Sequence, residues 1–179
     1  MIRIGPAYPG RGIPWDHKGK TEVAQILISC NRNRINFMYF VYVEDGGTKL
    51  VLSEKIGREE TSHSMETVNF DYPSEYITRV SGQYNDYLGK YLRSITFHTN
   101  KGVYGPFAPG APGAPTKGLV SIDFNYQVAG KFGGFFGSYE TDSIETIGFY
   151  IDPLQKLANQ PGEIAVGGSD GLEASGQTS

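Results

Sequence analysis

Cysteine is nearly absent from this chain: Cys30 stands alone among 179 residues. No intrachain disulfide is possible, which agrees with a reducing compartment. Within the apolar run Ile26-Leu27-Ile28-Ser29-Cys30 the thiol reads as a small buried hydrophobe rather than a reactive group. Histidine is scarce too. His17, His63 and His98 have no second histidine or cysteine at metal-ligand spacing, so no zinc site is expected. His98 alternates with Ile95 and Phe97 and reads as a strand-face residue. No charge of one sign dominates: the net charge is −3, which offers no basic footprint for nucleic acid or an anionic membrane. No apolar stretch approaches the roughly 18 residues of a spanning helix. The start, Met1-Ile2-Arg3-Ile4-Gly5-Pro6, lacks a signal-peptide core, so the expectation is a soluble, cytoplasmic protein. Neither a G-x-S-x-G elbow nor a G-x-x-x-x-G-K-[ST] loop occurs, and no cofactor is expected.

What is present is glycine (24 residues) and aromatic side chains (13%), with charged residues held to 20%. That mixture favours short strands joined by glycine turns, and the chain length suits one domain. Residues 5–16 read as a glycine and proline loop ending near the only tryptophan. Alternating segments follow at 22–30, 35–43, 48–52, 65–70, 76–82, 91–99, 103–107 and 119–124, and again at 133–137 and 146–151. In the second of these, Ile35, Phe37, Tyr39, Val41 and Val43 share one face, and Glu44-Asp45-Gly46-Gly47 is a hairpin turn. The stretch APGAPGAPTKG cannot pair as a central strand, because its prolines lack amide donors. The expected class is all-β, with closed or stacked antiparallel sheets. From Asn159 onward large apolar residues are few, and residues 154–179 are expected to be a disordered tail or linker after a domain over 1–153.

The chemistry gathers in GFFGSYETDSIETIGFY, where Glu140, Asp142 and Glu145 crowd a short loop between two strands. A glycosidase needs two carboxyls about 5 to 9.5 Å apart, which this spacing permits. It also needs a deep cleft, and a small domain of short strands is poorly supplied with one. A shallow polyol site is the simpler use: carboxylates and backbone amides fork adjacent hydroxyls while an aromatic ring covers the apolar face. A merely solvated turn stays open as the other reading.

Four motifs resemble the jacalin-related lectins. Gly5-Pro6-Ala7-Tyr8-Pro9-Gly10-Arg11-Gly12-Ile13-Pro14-Trp15-Asp16 is similar, without a gap, to the family's opening G-P-W-G-G-x-G-G-x-x-W-D. Ser81-Gly82 with Arg93-Ser94-Ile95-Thr96-Phe97-His98-Thr99-Asn100 is the second, and Tyr104-Gly105-Pro106-Phe107 the third. The fourth joins Gly134-Phe135-Phe136-Gly137 to Glu145-Thr146-Ile147-Gly148-Phe149-Tyr150. They span residues 5 to 153 in the family's order. The resemblance implies a β-prism of three antiparallel, four-stranded Greek-key sheets.

It also implies a monosaccharide site on the acidic loop, where a family aspartate accepts from two sugar hydroxyls and two preceding amides donate. Anchored on Ile147-Gly148, the acceptor falls on Glu145, the donor amides on Asp142 and Ser143, and the motif glycine on Thr141. The N-terminal glycine pair falls on Arg11 and Gly12, while Tyr139 and Asn85 join the candidate contacts. Because the loop is one residue longer than the pattern, a second register with Asp142 as acceptor stays open. The implied function is a non-catalytic lectin for mannose- or glucose-containing glycans, assembled as a homodimer, with Phe37-Tyr39-Val41 as a candidate exposed patch. The alternative is a β-prism that serves protein interaction or oligomerisation after losing or weakening its sugar site.

Overall fold

A computed structural model describes residues 1–6, 9–58, 64–87, 89–125 and 130–153. The tail from residue 154 lies outside the described residues. In chain order the strands begin with β1 (Ile2–Ile4), β2 (Ile13–Asp16), β3 (Val23–Cys30), β4 (Ile35–Glu44) and β5 (Lys49–Leu52). Then come β6 (Ile56–Gly57), β7 (Ser64–Asn69), β8 (Ile77–Asn85) and β9 (Tyr91–Thr99). β10 (Val103–Phe107), β11 (Leu119–Asn125), β12 (Gly130–Tyr139) and β13 (Ile144–Pro153) complete the set.

All pairings are antiparallel and fall into three sheets, ordered β1-β13-β12-β2, β10-β9-β8-β11 and β5-β4-β3-β7. The second and third orders set a fourth strand beside the first of three consecutive strands, which is Greek-key connectivity, while in the first the N-terminal strands β1 and β2 flank the C-terminal hairpin β12–β13. The third sheet carries one strand beyond the expected four, the short β6 beside β4. Segment 108–118 contains no strand, as its prolines require. Ile13–Asp16, in contrast, is a strand rather than loop. It lies at a sheet edge, where Pro14 needs no ladder donor.

The three sheets face a common core. Phe135 of the first sheet stacks on Phe40 of the third at 4.7 Å and meets Phe97 of the second edge-on at 6.2 Å. Such offset and T-shaped ring pairs add to the burial energy of three rings whose exposure is essentially zero. Tyr84 pins the first and second sheets together: its hydroxyl donates to the Ile147 carbonyl (3.0 Å) and accepts from the Ile147 amide (2.8 Å).

The core face of β4 is Met38, Phe40 and Tyr42. Phe37, Tyr39 and Val41 lie on the opposite, outward face. Phe37 nonetheless is only 4% exposed: it pairs with Gly57 of β6, its ring meets Tyr39 edge-on, and the Lys55 ammonium lies 5.0 Å from its ring centroid. The expected aromatic patch is therefore displaced: on that face the exposed apolar residues are Leu50, Leu52 and Met65, beside half-buried Tyr39 and Val41. Cys30 is buried and reduced, as its apolar run suggests. His98 sits on a strand, with Nε2 3.0 Å from the Ser81 hydroxyl.

Candidate functional site

The acidic loop joins β12 to β13 at one end of the prism. Its closing strand pair contains a β-bulge. Ser138 faces Thr146 and Tyr139 faces Ile144, which leaves Glu145 as the extra, unpaired residue. Bulges re-aim side chains, and this one turns the Glu145 carboxylate inward, to 1% exposure.

The N-terminal loop receives it. The Arg11 amide donates to both oxygens (2.9 Å to Oε1, 2.8 Å to Oε2), and the Gly12 amide donates to Oε2 at 2.8 Å. The Ser138 hydroxyl donates to Oε2 at 2.8 Å. With its single proton so committed, Ser138 accepts from the Thr146 hydroxyl (2.8 Å). Burial alone would raise the Glu145 carboxyl. The amides of Gly12 and Arg11 and the Ser138 hydroxyl bind the charged form and hold it below the usual carboxylate range.

Close approach of the loop depends on two glycines. A Cβ on Gly10 would stand 1.9 Å from Ser138 Oγ and 2.9 Å from Glu145 Oε2; one on Gly12 would stand 2.2 Å from the Tyr139 carbonyl oxygen. Any larger residue would push the amides off the carboxylate.

The other candidates are distributed around this clasp. Gly12 and Glu145 touch directly, and Tyr139 flanks them, its backbone against Gly12 and its ring partly buried on the core. Ser143 is buried; its carbonyl accepts from the Glu140 amide (3.0 Å) and its hydroxyl donates to Asp142 Oδ1 (3.2 Å). Asp142 is exposed and forms an ion pair with Arg34 from the β3–β4 hairpin. The Arg34 guanidinium also lies 4.7 Å from the Tyr91 ring centroid. Thr141 needs no left-handed backbone, because Asp45 and Ala108 are the only described non-glycine residues with positive φ. Asn85 does not join the loop directly. Its side chain donates to the Gly89 carbonyl (2.9 Å) within its own turn, and its place opposite Tyr91 links it to Arg34 at second hand.

Sequence reasoning overlooked Gly10, Ser138, Arg34 and Tyr91. The P-G-R-G spelling carried a signal for Gly10. Arg34 carried none, since it meets Asp142 across 108 residues of chain. Among the described residues no group of three or more His, Cys, Asp or Glu is arranged to hold a metal ion.

Residues 4–150 match the family described as Jacalin-like lectin domain. Protein RESTRICTED TEV MOVEMENT 1 from Arabidopsis thaliana is 34% identical over 168 residues, covering 87% of this chain and 90% of that one. Jacalin-related lectin 24 from the same plant is also 34% identical, over 86% of this chain and 68% of its own length. Among solved structures, the mannose-binding lectin from Champedak superposes with a TM-score of 0.69 at 25% identity, covering 84% of this chain and 96% of that one.

Proposed function

The chain belongs to the family of jacalin-like lectin domains, and from that premise we propose that it is a non-catalytic carbohydrate-recognition domain whose first sugar class is mannose or glucose. The observation that carries this reading is the convergence of the Arg11 and Gly12 amides with the Glu145 carboxylate at one point of the prism end. Paired donors beside a fixed acceptor are the groups that hold two neighbouring sugar hydroxyls. A hexose binds here by exchanging its hydroxyls for the protein's own amide–carboxylate bonds, so monosaccharide affinity is weak. The Champedak lectin is named for binding mannose, which supports the choice of sugar.

The reading includes a cytoplasmic setting, supported by the single reduced cysteine, and a homodimer, supported by the outward apolar face around Leu52 and Met65. Titration with methyl α-mannoside, followed by the NMR shifts of amides 10–12 and 138–145, tests it. Saturable shifts confined to those amides are expected, and their absence across mannosides and glucosides refutes it.

A second reading is favoured by one specific observation. Glu145 is 1% exposed and already satisfied, which fits a prism with lost or weakened sugar binding that serves as a protein-interaction module. Protein RESTRICTED TEV MOVEMENT 1, a relative not named for a sugar, points the same way. Silence on a glycan array together with a retained protein partner decides for it.

A further inference from the structure

The end of the prism is unusual in how its charges are spent. Of the loop carboxylates, Glu145 is bound by backbone amides and Asp142 by Arg34, while Glu140 lies beside Gly12 on the other flank. Next to the loop, and sharing Arg34 with it, opens a cleft of about 930 Å³ between the β3–β4 hairpin, the start of β7 and the turn at 105–109. Arg32 and Arg34 line it, with Asn33 between them and Glu66 opposite. Arg32 is exposed and, among the described residues, has no side-chain hydrogen bond or ion pair.

Behind the same turn lies Arg93. Like Glu145 it is the extra residue of a β-bulge, here between the Gln83–Ser94 and Tyr84–Leu92 pairs. It is 8% exposed, its Nε has no partner, and no carboxylate lies within ion-pair distance among the described residues. Gly110 presses on it so closely that a Cβ there would come within 2.2 Å of Nη2. The Gly110 amide in turn donates to the Arg32 carbonyl (2.7 Å), which ties the buried guanidinium to the hairpin that lines the cleft. Among the described residues Arg34 is paired with Asp142, while neither Arg32 nor the buried Arg93 has a carboxylate within ion-pair distance. In a partly desolvated place such a charge is costly alone and attractive to an anion.

We propose that this cleft takes the acid group, carboxylate or sulfate, of an anionic saccharide, with Arg32 as its principal contact. The inference rests on the carbohydrate reading above and narrows its ligand class. A guanidinium suits either group, because its planar fork of donors matches two oxygens at once. The sugar ring of the same ligand then lies towards the Asp142 side, where Arg34 bridges cleft and loop.

The test uses the full chain and its Arg32→Glu variant, an exposed change whose melting temperature confirms folding. Trigalacturonate and a sulfated trisaccharide are titrated by calorimetry and NMR beside uncharged mannotriose and sodium sulfate, at low and at physiological ionic strength. At least one acidic saccharide is expected to bind about tenfold or more tighter than mannotriose. It should shift amides 31–34 and 105–110 and weaken as salt screens it. Arg32→Glu should remove that preference and leave the mannotriose response unchanged. Which acidic ligand responds identifies carboxylate or sulfate. Equal affinity for acidic and neutral saccharides overturns the inference while leaving the carbohydrate reading intact, and so does a preference that survives Arg32→Glu. Sodium sulfate matching the acidic saccharides overturns it as a bare anion site. Silence from every saccharide overturns the inference and the reading beneath it together.

Discussion

Replacing Glu145 by glutamine keeps the shape of the clasp and removes its charge. In the wild type one buried carboxylate accepts from the Arg11 amide, the Gly12 amide and the Ser138 hydroxyl. Each bond to a charged acceptor contributes about 1.5–3 kcal/mol and each neutral one about 1 kcal/mol. Glutamine retains one accepting oxygen and turns an NH2 towards the donating Arg11 amide. The net loss is about 2–4 kcal/mol, or about 5–15 °C in melting temperature for a chain of this size.

The difference between variant and wild type must also depend on pH. The unfolded carboxyl titrates near about 4.3, and the folded one lies below the usual range because amides and a hydroxyl bind its charged form. The stabilisation is therefore complete at neutral pH and is lost as pH falls through the folded value. Glutamine does not titrate, so the gap between the two proteins should narrow below about pH 4. Other carboxylates held low, such as Glu75 and Asp123, titrate in both proteins and cancel in the difference. Urea denaturation of both proteins from pH 7 to pH 3 measures this. A gap below about 0.5 kcal/mol at pH 7, or one unchanged with pH, refutes the buried clasp.

Tyr84→Phe strands the amide and carbonyl of Ile147 in the core and should cost about 2–3 kcal/mol in denaturant unfolding; a loss under about 0.5 kcal/mol would mean water replaces the hydroxyl. Gly12→Ala drives a Cβ into the Tyr139 carbonyl and should destabilise by about 1–3 kcal/mol while broadening or moving the amide signals of residues 10–12; an unshifted spectrum contradicts the close approach. Light scattering at tens of micromolar should give twice the chain mass, and Leu52→Glu, on the outward face, should halve it; a wild-type monomer removes the dimer from the reading.

The all-β class and the strand positions were legible because they rest on local pattern. Glycine turns, period-two alternation and proline exclusion each act within a few residues. Even there, legibility failed where pattern is ambiguous. Ile35 to Val43 is apolar at nearly every position, so alternation could not say which face meets the core, and Phe37 was assigned an exposure it does not have. Ile13–Asp16 looked like loop because proline and glycine flank it, yet an edge strand tolerates both.

The site was less legible for a different reason: it is made by closure. With Asp142 as the second register, the family resemblance placed Glu145 in the role of a sugar acceptor. Its actual partners depend on a one-residue bulge that turns the side chain inward and on amides 134 residues away, brought near by Gly10 and Gly12. Arg93 follows the same rule, since it is the extra residue of a bulge and the turn that follows β10 covers it. Substituting a longer acid at the acceptor position therefore does more than lengthen a contact. The Glu145 carboxylate reaches the Arg11 and Gly12 amides, and on the carbohydrate reading proposed above those are the groups a neutral sugar would have to displace. On the inference above, ligand choice then turns on Arg32, which has no side-chain partner among the described residues.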